Sequence, residues 1–184
     1  MKRRPFIWDL VKAFVSTLLF ILVINHWIVK PVRVVGASMY PTLENGQVGF
    51  SNILINQLES IDRFDVVILA IEQNQEEVYI VKRVVGLPNE TLEVKDDVLY
   101  IDNVAVEQSF FDNAWYDSIT GSLNGNFTND FGPITLGSDQ YYVLGDNRRF
   151  SQDSRYYGPF SQEDIVAKDI YVIYPFSDFK IIRK

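Results

Sequence analysis

Along the 184-residue chain, hydrophobic positions change their spacing once, near residue 30. From Ala13 to Val29 the run AFVSTLLFILVINHWIV is apolar on every side and carries no charge when His26 is neutral. A helix of seventeen residues reaches about 25 Å at roughly 1.5 Å per residue, slightly short of a roughly 30 Å hydrocarbon core. Leu10 and Val11 extend it if Lys12 snorkels to the headgroups. Trp8 and Trp27 bracket the run as interfacial aromatics do. The pattern predicts one membrane-spanning anchor at 13–29, a basic inner segment at 1–12 and a body at 30–184 on the outer side. A cleaved leader ending near Val35-Gly36-Ala37 and a buried core helix are the competing readings. The first would start the chain at Ser38, and the second ignores the basic flank.

Past Pro31 the runs shorten and become β-branched, which predicts a mainly β body of antiparallel or mixed sheets. Strands are expected at Val32–Val35, Asp65–Ile71, Val78–Val85, Thr91–Lys95, Val98–Asp102, Val104–Val106, Tyr141–Leu144 and Ile170–Tyr174. Asp96-Asp97 and Asp102-Asn103 mark turns, and Ser161–Ile165 a short helical turn capped by Ser161. Residues 109–138 show no sustained period and read as a long excursion from the β core.

Charge and composition narrow the chemistry. The net charge is −7, but residues 1–12 carry a local +3, leaving −10 for the rest. So acidic a body suits no phosphate backbone, and nucleic acid is not an expected partner. There is no cysteine, so disulfide scaffolds, thiolate metal sites and cysteine nucleophiles are excluded. The single histidine, His26, lies in the apolar run, which leaves no histidine for a Ser-His-Asp triad in the body.

Three segments carry candidate chemistry. Gly36-Ala37-Ser38-Met39-Tyr40-Pro41-Thr42 places Ser38 between a glycine-limited strand end and a proline. A tight turn there exposes a hydroxyl and aims the Ser38 N–H at a bound carbonyl, although serines in such turns commonly act as caps. In Val78–Val85, strict alternation puts Val78, Ile80, Lys82 and Val84 on one face, so Lys82 is its only polar member. An unperturbed lysine, with a pKa of roughly 10.4, is neutral in only about one copy in two thousand at pH 7. Desolvation on an apolar face lowers that pKa toward the range of a general base. A lysine that guards a strand edge has the same pattern. Gly145 to Arg155, GDNRRFSQDSR, packs carboxylates, guanidiniums and hydroxyls into eleven residues, a composition suited to a polar network.

Taken in order behind the apolar run, these segments closely resemble the type I signal peptidases, especially the short single-span kind of Gram-positive bacteria. GASMYPT at 36–42 is similar to the nucleophile motif, DVV at 65–67 to the short second motif, YIVKRVVGLP at 79–88 to the general-base motif, and GDNRRFSQDSR at 145–155 to the last. The resemblance implies a membrane-bound serine endopeptidase that removes signal peptides at Ala-X-Ala sites without metal or cofactor. Ser38 would be the nucleophile and Lys82 the base. Ser151 would hydrogen-bond Lys82, and Asp146, Asp153 and Arg155 would brace the site. Its partners would be preproteins and membrane lipid. A non-catalytic membrane assembly factor on the same fold is the alternative, which loss of Ser38 or Lys82 would have favoured. Four positions depart from the family pattern. Gly36 replaces a serine that some relatives use in the oxyanion hole, leaving the Ser38 N–H. Phe64 and Asn89 stand at usual glycines, and Phe150 at a usual asparagine, where it would alter loop packing.

Overall fold

The computed structural model describes residues 6–53, 59–111, 113–122 and 125–184, with the backbone alone at 23–27 and 113. The basic residues Lys2, Arg3 and Arg4 lie outside the described residues, as do the side chains of Asn25, His26 and Trp27. Helix α1 runs Phe6–Trp27, and every described side chain on it, from Phe6 to Leu22, is exposed. Its apolar surface is therefore covered by no part of the body. Among the described residues, no helix is long and apolar enough to cross a membrane.

All strand pairs are antiparallel. One sheet contains β1 (Val29–Arg33), β2 (Val48–Asn52), β3 (Val66–Gln73), β4 (Glu76–Gly86), β9 (Gln140–Leu144), β10 (Phe160–Ser161), β11 (Ile165–Tyr174) and β12 (Lys180–Ile182). Its order is β1-β2-β11-β3-β4-β9-β10, with β12 also on β11. The second sheet is β7-β6-β5-β8, formed by β5 (Thr91–Lys95), β6 (Val98–Ile101), β7 (Val104–Val106) and β8 (Phe131–Thr135). Asn74–Gln75, Asp96–Asp97 and Asp102–Asn103 close three hairpins with both φ values positive. Paired positive φ is the two-residue turn whose twist matches a hairpin, and Asn and Asp tolerate it.

β4 is the hinge of the core. Val84, with Val78 and Ile80, packs on Val67, Leu69 and Val143, while Val85 on the opposite face joins Leu92, Leu136 and Leu144. The expected period of two therefore holds along β4. Between β2 and β11 the backbones approach so closely that a Cβ on Gly49 would lie 2.1 Å from the Tyr171 carbonyl oxygen. The expected excursion at 109–138 is more ordered than its irregular pattern implied. It holds helix α2 (Asn113–Thr120) and strand β8, which completes the small sheet on β5. Its aromatic residues pack on one another, so neither a 2.0 nor a 3.6 period is needed to bury them. The turn after Ser161 is present as a 3₁₀ turn at Gln162–Asp164, with the Ser161 N–H and hydroxyl both donating to Asp164.

Candidate active site

Two backbone features bring Ser38 and Lys82 together. β1 ends at Arg33, and Gly36, at φ +89°, turns the chain so that residues 37–42 fold back as a tight turn. The Gly36 N–H donates to Asn45 Oδ1 at 3.0 Å, fixing that turn. Lys82 lies opposite Val67 of β3, one residue before β4 begins to pair with β9 at Arg83. Its Nζ donates to Ser38 Oγ at 3.0 Å and to the Val81 carbonyl at 2.8 Å. The side chain is only 3% exposed. Burial pushes its pKa down to about 8, against the opposing pull of Asp153 and Asp146. Lys82 thus lies buried on the face that alternation gave it, and its head is not in water as that of a strand-edge guard would be.

Beneath the pair lies a largely buried ionic frame. Asp146 is fully buried and accepts from Arg83 Nε at 2.8 Å, Arg83 Nη2 at 2.7 Å and the Thr42 hydroxyl at 2.5 Å. Arg83 also donates to the Phe64 carbonyl at 2.9 Å. Asp153, also buried, accepts from the Gly145 N–H and from Arg155 Nε and Nη2, each bond within 0.1 Å of 2.9 Å. Burial raises the Asp153 pKa, but the Arg155 hydrogen bonds and charge more than offset it and hold the carboxyl below its ordinary value. Asp146, Asp153 and Arg155 thus lie together in this frame, and Arg83 and Arg148 join them. Arg148 is 2% exposed, donates to the Gly145 carbonyl at 3.1 Å, and is pushed by burial down to about 10. Arg83 was legible only as the residue facing away from Lys82, and Arg148 only as one of three arginines in a polar run.

Gly145 seats this frame on Ser38. A Cβ there would lie 2.2 Å from Ser151 Oγ and 2.5 Å from the Ser38 carbonyl oxygen, so the two segments touch through a position only glycine fills. The Asn147 N–H donates to that same Ser38 carbonyl at 3.0 Å. Ser151 departs from expectation. Its hydroxyl is buried, does not bond Lys82 and meets hydrogen-bond geometry with no described residue, although it sits near enough to Asp153 to help hold that carboxyl low. It is packed against Gly145 instead, because the 3₁₀ turn Arg148–Phe150 carries it under the loop.

The departures from the family pattern acquire physical reasons. Phe64 and Asn89 have φ of +73° and +67°, the left-handed region that explains a usual glycine at each. Asn tolerates it; a phenylalanine costs about 1–2 kcal/mol there, and its ring packs tilted against Phe110, 5.0 Å between centroids. Phe150 is 75% exposed and lines the cleft.

Two hollows open on the pair. One of about 340 Å³ is lined by Val34, Met39, Val78 and Ile80 with Ser38 and Lys82. The other, of about 320 Å³, is lined by Ser38, Lys82, Ile71, Ile80, Phe150 and Tyr157. A wider hollow of about 700 Å³ beside Lys30, Asp139 and Glu163 contains neither Ser38 nor Lys82. Among the described residues, no group of three or more His, Asp or Glu side chains is placed to hold a metal ion. A buried amine beside a serine hydroxyl, at the wall of an apolar cleft, can perform acyl transfer.

The sequence matches the family model described as signal peptidase, peptidase S26, over residues 7–174. It is 37% identical to signal peptidase I of Bacillus amyloliquefaciens over 174 residues, covering 94% of this chain and 88% of the relative. It is 35% identical to signal peptidase I S of Bacillus subtilis strain 168, covering 98% and 96%. The fold matches the crystal structure of a signal peptidase I from Enterococcus faecalis V583 with a TM-score of 0.50 and 31% identity, over 60% of this chain and 97% of that one. The chain belongs to the type I signal peptidases of the peptidase S26 family, serine peptidases that remove signal peptides.

Proposed function

We propose that this enzyme cleaves by a Ser38–Lys82 dyad while anchored in the membrane by α1. The observation that carries the dyad is the 3.0 Å contact between Ser38 Oγ and a lysine amine held out of water. Neutral Lys82 takes the Ser38 proton as the hydroxyl attacks the scissile carbonyl. The resulting ammonium protonates the leaving amine, and the neutral amine then activates water to release the acyl group. Among the described residues the Ser38 N–H has no acceptor, which leaves it for the oxyanion of the tetrahedral intermediate.

Substrate binding follows from an incomplete strand. From Glu76 to Lys82, β4 pairs with β3 on one side, but on the other β9 begins only at Arg83. The free edge faces Arg33–Met39 across the apolar hollow lined by Val34, Met39 and Val78. An extended peptide lying in this gap gains main-chain hydrogen bonds from β4, and the shallow apolar walls favour small side chains. That supports Ala-X-Ala-like sites. The exposed apolar surface of α1 supports the anchor, with the body on the outer face of the cell membrane, where enzyme and preprotein share one surface.

The test is cleavage of a preprotein carrying an Ala-X-Ala site by the detergent-solubilised full chain. Wild type should cut at that site, and Ser38→Ala and Lys82→Ala should leave it intact; cutting by folded Ser38→Ala would sink the dyad. Flotation of the full chain with liposomes checks the anchor, and a chain that stays in the soluble fraction refutes it.

A further inference from the structure

The excursion between β7 and β8 reaches the supports of Ser38 at three separate places. The Phe110 ring lies 4.0 Å from the Arg83 guanidinium carbon, with Phe64 on its flank. Phe111 lies 4.9 Å from the guanidinium carbon of Arg148, whose Nη2 also donates to Gln108. Trp115 on α2 meets Tyr40 edge-on at 5.9 Å. Each contact leads by a short chain of bonds to residues 38–42. Arg83 holds Asp146, which accepts from Thr42. Arg148 holds the Gly145 carbonyl, and the adjoining Asn147 N–H holds the Ser38 carbonyl. Tyr40 is itself two residues beyond the nucleophile.

The segment is also fixed from below. Asp97, in the β5–β6 turn, accepts from the N–H groups of Phe127 and Thr128 at 2.9 and 2.6 Å. Phe127 is 2% exposed and takes Phe111, Trp115 and Tyr116 edge-on, at centroid distances of 5.7, 5.5 and 5.5 Å. None of Phe110, Phe111 and Trp115 lines either hollow at Ser38.

We propose that Phe110, Phe111 and Trp115 are positioning residues for the dyad, holding the nucleophile turn against the catalytic loop through Arg83, Arg148 and Tyr40. The rings cover two guanidinium faces and exclude water from them, which strengthens their bonds to Asp146 and the Gly145 carbonyl. A ring lost here leaves the substrate cleft intact but lets residues 38–42 drift relative to Lys82. Misplacement of reacting groups by about 1 Å costs on the order of 100-fold in rate, so the loss falls on kcat and not on KM.

The inference rests on the dyad reading, and the experiment separates the two. Full-length wild type, Ser38→Ala, Phe110→Leu, Trp115→Leu, Trp115→Phe and a control, Val104→Ala on exposed β7, are assayed on one peptide, with a melting curve for each. We expect Phe110→Leu and Trp115→Leu to lower kcat by about 10- to 100-fold with KM held within about two-fold. Trp115→Phe should keep most of the rate, and Val104→Ala all of it. Folded leucine variants with wild-type kcat, or with KM alone raised, would overturn the proposal. Should Trp115→Leu fail to fold, Phe110→Leu decides by the same split. Cleavage by Ser38→Ala would instead overturn the dyad reading, whatever the aromatic variants do.

Discussion

The low pKa of Lys82 ties activity and stability to the same titration, and pH is the first perturbation. With the amine at about 8, roughly one-tenth of the enzyme holds neutral Lys82 at pH 7 and about nine-tenths at pH 9. The free-enzyme rate constant kcat/KM should therefore rise about ten-fold between those values and level off. The stability effect has the same origin. Burial lowers the folded pKa from the ordinary 10.5 to about 8, so the folded state is penalised wherever Lys82 is charged. The penalty is complete below pH 8, about 3 kcal/mol, and is relieved as pH rises from 8 toward 10.5. Lys82→Met removes the charge and keeps the volume. It should abolish cleavage yet exceed wild type in urea stability at pH 7, with the advantage shrinking by about 2 kcal/mol at pH 9.5. The assays are kcat/KM on a peptide substrate from pH 6 to 10 and paired urea melts of wild type and Lys82→Met. A rate still climbing steeply at pH 10, or a Lys82→Met chain less stable than wild type at pH 7, would refute the desolvation argument.

Three further outcomes follow from the site's contacts. Arg83→Met leaves Asp146 buried without its cation and should cost about 3–5 kcal/mol, read as a lowered urea midpoint and lost activity. Gly145→Ala drives a methyl into both Ser151 and the Ser38 carbonyl, so kcat should fall at least about ten-fold; the double variant Gly145→Ala/Ser151→Gly should not restore it, because the Ser38 backbone cannot yield. Ser151→Ala removes a hydroxyl that meets hydrogen-bond geometry with no described residue and should change stability by less than about 1 kcal/mol; a larger loss in the melt would show that the hydroxyl is bonded.

Much of the scaffold is local and was readable. Alternation along Val78–Val85 put Lys82 on an apolar face because side-chain direction in a strand depends only on position parity. The Asp96-Asp97 and Asp102-Asn103 turns were readable because positive φ selects residues by chemistry, not by context. Phe64 and Asn89 stand out against the family pattern for the same reason, since a glycine-like backbone conformation persists at each without glycine. Strands β2, β8, β10 and β12 were not foreseen, since VGFSN, FGPIT, FS and KII are short and acquire their pairing from β1, β5, β9 and β11.

For this protein the sequence by itself determined the family, the mainly β class, the apolar strand face that carries Lys82 and the acidity of the body, all properties of residue type and spacing. Only the tertiary structure decided that Lys82 meets Ser38 at 3.0 Å across 44 residues, that Arg83 and not a nearer cation neutralises Asp146, and that Ser151 packs under Gly145 without bonding Lys82. It also placed aromatic rings of the irregular excursion against Arg83, Arg148 and Tyr40. Such pairings depend on which distant surfaces exclude water together, and burial of that kind is a property of the closed fold that no local pattern encodes.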